Sequence, residues 1–274
     1  MSIILGASGE IGSFLANEKA IQTSRIFDKS EVCEWIIGGE SFIRQELEKC
    51  ALADSTSIDI FYCVGDTNPA GSEESLDTLN FQLPKSILKA TTDLPFRLIT
   101  FGSVHENSRI SNPYMNSKRK FRDFLFEQAT SCNWNHFQLH TLYSENLPKP
   151  YMFLGQMLEA IKSDCKFRMS SGSQLRQFHH TFDVVQAVVS SLPKIEKNSV
   201  TNVTGTASIH LVDLATRVFS QIGALENLEV GVLEDLVNEI YISLYSVPEF
   251  LLLHDFRDSL VEIPKLVTDV WLSR

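Results

Sequence analysis

A chain of 274 residues with 43% hydrophobic content is long enough for one large α/β domain, or for such a domain with a small lobe. Its formal charge of −10 and pI near 5.2 argue against a general nucleic-acid binder, whose surface would be basic. Five cysteines (Cys33, Cys50, Cys63, Cys132 and Cys165), odd in number and without a CxxC pair, point to reduced thiols rather than a disulfide framework or a zinc site.

No basic segment followed by an apolar run opens the chain. The most apolar late stretch, residues 240–253, is interrupted by Pro248 and Glu249 and is too short to span a bilayer. The expectation is a soluble, cytoplasmic protein with neither a membrane nor a nucleic-acid partner.

Residues 3–5 read as a buried strand, followed by Gly6-Ala7-Ser8-Gly9-Glu10-Ile11-Gly12 and a helix over residues 11–16. A strand turning into a helix over glycines aims the helix's first N–H groups, and its positive end, at one spot suited to a pyrophosphate. Gly6 permits the turn, Gly9 lets a phosphate approach, and Gly12 lets the helix lie close on the strand. Gly6, Ser8, Gly9, Glu10, Ile11 and Gly12 are therefore candidate cofactor contacts. Residues 24–27 predict a second strand, ending at Asp28, where an acid can hold a dinucleotide's ribose hydroxyls. Asp28 favours NAD because it repels a 2′-phosphate, while Lys29 and Ser30 keep NADP open. The plainer reading of Asp28 is a solvated turn acid.

Residues 32–37 predict a third strand and residues 41–50 a short amphipathic helix. Residues 58–64 predict a buried strand, so Val64, Gly65 and the loop to Gly71 should border the cofactor. A helix over residues 75–90 places Leu76, Leu79, Leu83, Ile87 and Leu88 on its core side, and residues 96–101 form the next strand, ending at Gly102-Ser103. This alternation predicts a parallel sheet with helices on both faces.

Residues 113–125 then open a helix with Tyr114 and Lys118 four apart and on one face. A nearby ammonium and a positive nicotinamide ring favour the phenolate, making Tyr114 a candidate proton-transfer group. Ser103 can hydrogen-bond the same substrate oxygen. A YxxxK string also occurs on ordinary surface helices; here it follows a glycine loop and a strand-end serine in the appropriate order. Further strands are predicted over residues 135–142 and 200–203, with helices over residues 153–161 and 211–222.

GASGEIG, Ser103, YMNSK and a later segment, SGSQLRQFHHTFDVVQA from Ser171 to Ala187, resemble the extended short-chain dehydrogenase/reductases of the NAD-dependent epimerase/dehydratase group, which act on nucleotide sugars. The resemblance implies an α/β fold: a Rossmann-type doubly wound parallel sheet over residues 1–145, with a returning segment near 178–205. A small C-terminal substrate lobe would take residues 146–177 and 206–274. It implies NAD as cofactor, with NADP possible, and a nucleotide-diphosphate sugar as substrate. Ser103, Tyr114 and Lys118 would be catalytic, Lys118 also holding the nicotinamide ribose. Ser103, Tyr143 and Arg176 would bind substrate, Arg176 gripping the diphosphate with its planar fork. A surface ion pair is the plainer role for Arg176. Asp183 suits a helix N-cap. His179 and His180, adjacent on an extended segment, point to opposite sides, so no metal is expected. A homodimer through the helix of residues 114–126 is also implied.

Three features depart from the family. Ser103 and Tyr114 are only eleven residues apart, the loop after Val64 reads Gly65-Asp66-Thr67-Asn68, and Val104-His105 replaces the Asp-Glu pair of sugar dehydratases. Gln138 also stands where an arginine is usual. Elimination of water is poorly served without those acids, although Glu106 lies one position on. The expected activity is a keto-sugar reductase, with a tightly NAD-bound epimerase as the alternative. A non-catalytic dinucleotide sensor is the reading from another class, and retention of Ser103, Tyr114 and Lys118 argues against it.

Overall fold

The structure is a computed structural model, and it describes residues 1–50, 57–108, 110–128, 132–205, 207–235 and 256–273. The chain divides into two compact units: Met1–Leu139 with Val185–Val203, and His140–Val184 with Thr204–Arg274.

The first unit is built on six parallel strands: β1 (Ser2–Leu5), β2 (Thr23–Phe27), β3 (Ile58–Tyr62), β4 (Phe96–Ser103), β5 (Trp134–Leu139) and β10 (Ser199–Val203). Their order across the sheet is β10-β5-β4-β3-β1-β2. The chain leaves β1 toward β2 on one side, then returns to place β3 on the other. The sheet's switch point therefore lies between β1 and β3, where doubly wound sheets open a crevice past their strand ends. All four residues of β1 are buried, as expected of a strand covered on both faces. Ile3, Leu5, Ile60 and Leu98 form the centre of this unit's core. This is the α/β, Rossmann-type fold the sequence predicts.

Residues 32–37 are helical, correcting the predicted third strand. Helix α2 (Lys29–Cys50) absorbs both that segment and the short helix expected after it, with a break at Gly39 (φ 67°, ψ −168°). The burial pattern gives the reason. Val32 and Trp35, three residues apart, are buried while Cys33, Glu34, Ile36 and Ile37 are exposed, which is a helical stripe and not an alternation. Asp28 starts the helix: its Oδ1 accepts the Ser30 and Glu31 N–H groups at 2.8 and 3.0 Å. Glu31 Oε2 in turn accepts the Asp28 N–H at 2.8 Å.

The helix predicted over residues 75–90 starts at Glu73 and contains a wide turn: α3 (Glu73–Asp77), a π-turn (Thr78–Gln82), then α4 (Leu83–Ala90). Pro84 cannot donate to the Asn80 carbonyl, so the regular helical ladder is interrupted at this point. The strand predicted over residues 135–142 divides at His140. Its first part is β5; its second, β6 (Thr141–Tyr143), pairs in parallel with β9 (Phe178–His180) in the second unit. Helix α5 (Pro113–Glu127) follows the expected bounds closely, with the Asn112 side chain accepting the Met115 N–H at 2.8 Å.

The second unit holds α6 (Phe153–Lys162), β7 (Phe167–Arg168), β8 (Leu175–Arg176), β11 (Ile209–His210), α8 (Leu211–Gln221), β12 (Leu228–Glu229) and α9 (Ser259–Leu266). Its core gathers Leu214, Val218 and Phe219 of α8 with Ile263, Val267 and Trp271. Helix α7 (Thr181–Ser191) crosses the division between the units. Asp183 lies inside its first turn and is not its N-cap; instead it accepts the Arg257 N–H at 3.0 Å and pairs with the Arg257 guanidinium at 3.3 Å. The apolar stretch of residues 240–253 lies outside the described residues. Among the described residues, no helix is long and apolar enough to cross a membrane.

Candidate active site

The glycine turn is as tight as its composition suggests. Gly6 has φ +85°, and a β-carbon there would sit 3.0 Å from the Cys63 carbonyl carbon and from both Val64 N and Cγ2. The turn closes with the Gly9 N–H donating to the Gly6 carbonyl at 3.0 Å. A β-carbon on Gly12 would meet the Gly6 carbonyl oxygen at 2.2 Å, so Gly12 seats α1 (Glu10–Ala16) on the turn itself. Ser8 is exposed, and Glu10 and Ile11 open α1, bringing its first-turn N–H groups to the end of β1 beside residues 63–64.

Asp28 stands at the end of the edge strand β2, exposed, with Oδ1 occupied by the Ser30 hydroxyl (2.8 Å) as well as by the two backbone donors of the α2 cap. Oδ2 takes no part in that cap. The N–H of Glu31 and the hydroxyl of Ser30 hold the Asp28 pKa below its ordinary value.

Lys118 ties α5 to β4 and faces the loop after β3. Its ammonium donates to the Phe101 carbonyl at 3.0 Å, lies 6.0 Å from the Tyr114 ring centre, and is 3.7 Å from where a Gly65 β-carbon would be. Burial lowers its pKa, and the Glu106 carboxylate works against that shift. Tyr114, half-buried, is one helical turn away in the first turn of α5. Ser103 ends β4 two residues beyond Phe101; it is nearly buried, and its Oγ accepts the His105 N–H at 3.2 Å. Gly65, Lys118 and Tyr114 are thus brought together, and Ser103 ends the strand that anchors Lys118.

Two features are not among the predicted site residues. Asn80, buried on the π-turn, donates to the Asp66 carbonyl at 2.9 Å and to Ser117 Oγ at 3.1 Å, and Ser117 donates to the Tyr114 carbonyl at 2.8 Å. Its Oδ1 is buried without a partner and would lie 3.1 Å from a Gly65 β-carbon. The available signal was a polar residue four positions after Leu76, on an otherwise apolar stripe. The second feature is a buried polar group under Ser103. Glu106 accepts the Ser103 N–H at 2.8 Å, the Gln138 amide at 2.8 Å and His136 Nε2 at 3.1 Å. His136 Nδ1 meets Thr100 Oγ1 at 2.7 Å. Burial pushes the Glu106 pKa up, but the His136 charge and the hydrogen bonds from His136, Gln138 and Ser103 outweigh it, and the net shift is downward. The signal was three polar residues, Asn135, His136 and Gln138, within one buried strand.

The remaining predicted residues belong to the second unit. Tyr143 is buried with its ring edge-on to His180 and its hydroxyl without a partner, and burial raises its pKa. Arg176 on β8 donates from Nη1 to the Leu175 carbonyl at 2.9 Å. His179 stacks on Phe256 while His180 faces Glu145 at 3.4 Å, so the two rings have different surroundings.

No protein-family model and no curated protein sequence matches this chain significantly. Solved structures do. A dTDP-glucose 4,6-dehydratase from Streptomyces venezuelae, crystallised with NAD, superposes with a TM-score of 0.75 at 12% identity, covering 100% of this chain and 97% of that one. UDP-glucuronic acid 4-epimerase from Bacillus cereus, in complex with UDP-glucuronic acid and NAD, gives 0.75 at 15% identity, covering 100% and 99%. UDP-glucose 4-epimerase from Thermotoga maritima, solved with UDP-glucose, gives 0.76 at 13% identity, covering 100% and 99%. At these identities the likeness establishes a shared fold, the one expected from the sequence motifs.

Proposed function

We propose that this chain is an NAD-dependent enzyme that interconverts a hydroxyl and a carbonyl on a nucleotide-diphosphate sugar. The observation that carries the reading is the placement of Lys118: its ammonium is anchored on Phe101, next to Tyr114 and opposite the bare backbone of Gly65. The surroundings suit a dinucleotide. Lys118 gives one of its three donors to Phe101, Asn80 Oδ1 is buried without a partner, and Gly65 leaves the space beside both open. The turn at Gly6 and Gly9 with the start of α1 would take the pyrophosphate, Asp28 Oδ2 the adenosine ribose, and Lys118 the nicotinamide ribose. Ser30 donates to Asp28, which favours NAD over NADP.

When bound, NAD supplies the two-electron redox chemistry at the sugar carbon. Tyr114 would give or take the proton on the reacting oxygen, aided by the Lys118 ammonium, and Ser103 would hold that oxygen. Glu106 would not supply the acid for dehydration, because both its oxygens are engaged internally. We favour the reductase sense, from the short connection between Ser103 and Tyr114. The epimerase sense is supported by the sugar epimerases that share the fold.

Mass spectrometry of nucleotide released from the denatured protein tests both readings. Stoichiometric NAD supports the epimerase; an empty protein that binds added NADH or NADPH supports the reductase. A protein that binds no dinucleotide refutes the proposal. Tyr114→Phe should abolish turnover with little change in dinucleotide affinity; activity surviving that change would remove the catalytic assignment.

A further inference from the structure

The end of β4 is built around a charged group that the proposed chemistry leaves unused. The Glu106 side chain is 0% exposed and that of His136 is 1% exposed. An isolated carboxylate in such a place is strongly disfavoured, and it persists only where donors surround it. Three do: the Ser103 N–H, the Gln138 amide and His136 Nε2. The backbone is shaped to admit it. A β-carbon on Gly102 would stand 2.1 Å from Glu106 Oε1 and 2.3 Å from His136 Nε2. Thus the residue preceding Ser103 lacks a side chain where the carboxylate and imidazole sit.

The contact with Ser103 is reciprocal. Glu106 takes the Ser103 backbone proton, while Ser103 Oγ accepts the His105 N–H at 3.2 Å, forming a capping box over the short helical turn Val104–Asn107. That turn is held from α5: the Arg122 guanidinium donates to the Glu106 carbonyl at 2.6 Å, and Arg119 donates to the same carbonyl at 3.1 Å and to the Ser108 carbonyl at 2.9 Å. With its Oγ lone pair occupied by His105, Ser103 keeps its own hydroxyl proton for donation.

We infer that Glu106, seated against Gly102 and held by His136 and Gln138, is a positioning residue that fixes the backbone and hydroxyl direction of Ser103. It acts on the reacting oxygen only through Ser103, and this catalytic consequence rests on the function proposed above. A helix cap without that role would stabilise the fold equally in the presence or absence of the serine hydroxyl.

Two measurements on the full chain test it. The first needs neither cofactor nor substrate: amide exchange and 1H–15N spectra should show a protected, downfield Ser103 N–H that loses both properties in Glu106→Ala and keeps protection in Glu106→Gln. An unchanged Ser103 amide in Glu106→Ala overturns the inference. The second is a double-mutant cycle, with turnover followed using NADH and dTDP-4-keto-6-deoxyglucose. A misplacement of the hydroxyl predicts that Glu106→Ala lowers kcat about 10- to 100-fold with little change in KM, and that Glu106→Gln, which keeps the contact, loses much less. Glu106→Ala in a Ser103→Ala background should change kcat less than about twofold, because the group it acts through is gone. Independent, multiplicative losses would show that Glu106 does not work through Ser103. If wild type shows no turnover while the Ser103 amide responds as expected, the proposed function fails and the positioning contact stands.

Discussion

At the scale of single residues, the site depends on side chains that are absent as much as on those present. Gly12 is the sharpest case. A methyl group there must displace the backbone carbonyl of Gly6, at 2.2 Å, which no rotamer change can relieve. Gly12→Ala should therefore cost about 1–3 kcal/mol in urea unfolding and weaken dinucleotide binding as well. Gly9→Ala meets the same oxygen at 3.3 Å and should be milder in stability. A pH dependence belongs to His179, whose pKa burial lowers to about 4. Its imidazole accepts the Gly205 N–H at 3.2 Å, a role only the neutral ring can fill. Between pH 6.5 and 4 the unfolded chain binds a proton that the folded one refuses. This contribution is complete above pH 6.5 and declines on acidification, by about 3 kcal/mol at most. Equilibrium unfolding at several pH values should show that slope, and His179→Leu should flatten it.

Among the elements, α2 records a conflict between local pattern and packing. Its mostly apolar residues 32–37 suit a short strand, but Val32 and Trp35 enter the core from one helical face, and Ile43 and Leu47 follow beyond the break. Burying each such side chain contributes about 1.5–3 kcal/mol, more than the helix loses at the break. The break uses backbone angles that only glycine adopts readily. Gly39→Ala meets no atom within 4 Å, so any loss is conformational and should be about 1–3 kcal/mol by thermal or chemical unfolding. An unchanged stability would mean that the helix can straighten without disturbing its packing. Periodicity could not decide this segment in advance, because six residues, five of them apolar, are too few to separate the two periods. By contrast, α5 was legible: Pro113 at its start and the Tyr114–Lys118 spacing are both local features.

For the whole molecule, each unit has its own hydrophobic core, and the proposed dinucleotide contacts all lie in the first. NADH at about 100 times its Kd should therefore add about 2.7 kcal/mol to the unfolding free energy of the first unit. Calorimetry with NADH and NADPH would read this as an upward shift, and the cofactor giving the larger shift at equal concentration is the preferred one. No shift with either would agree with an empty glycine turn and remove the cofactor assignment. The sequence by itself determined the features that depend on neighbours along the chain: the glycine turn after β1, the α/β alternation and the one-face spacing of Tyr114 and Lys118. Helical and strand periods act within a few residues, so their signals survive in the sequence. Tertiary structure alone decided that residues 32–37 turn Val32 and Trp35 into the core as part of a helix, that Asn80 reaches Ser117, and that Glu106 pairs with His136 over the bare Gly102. The last two join residues about thirty or more positions apart, and a polar side chain in a buried element shows that it needs a partner without showing which one.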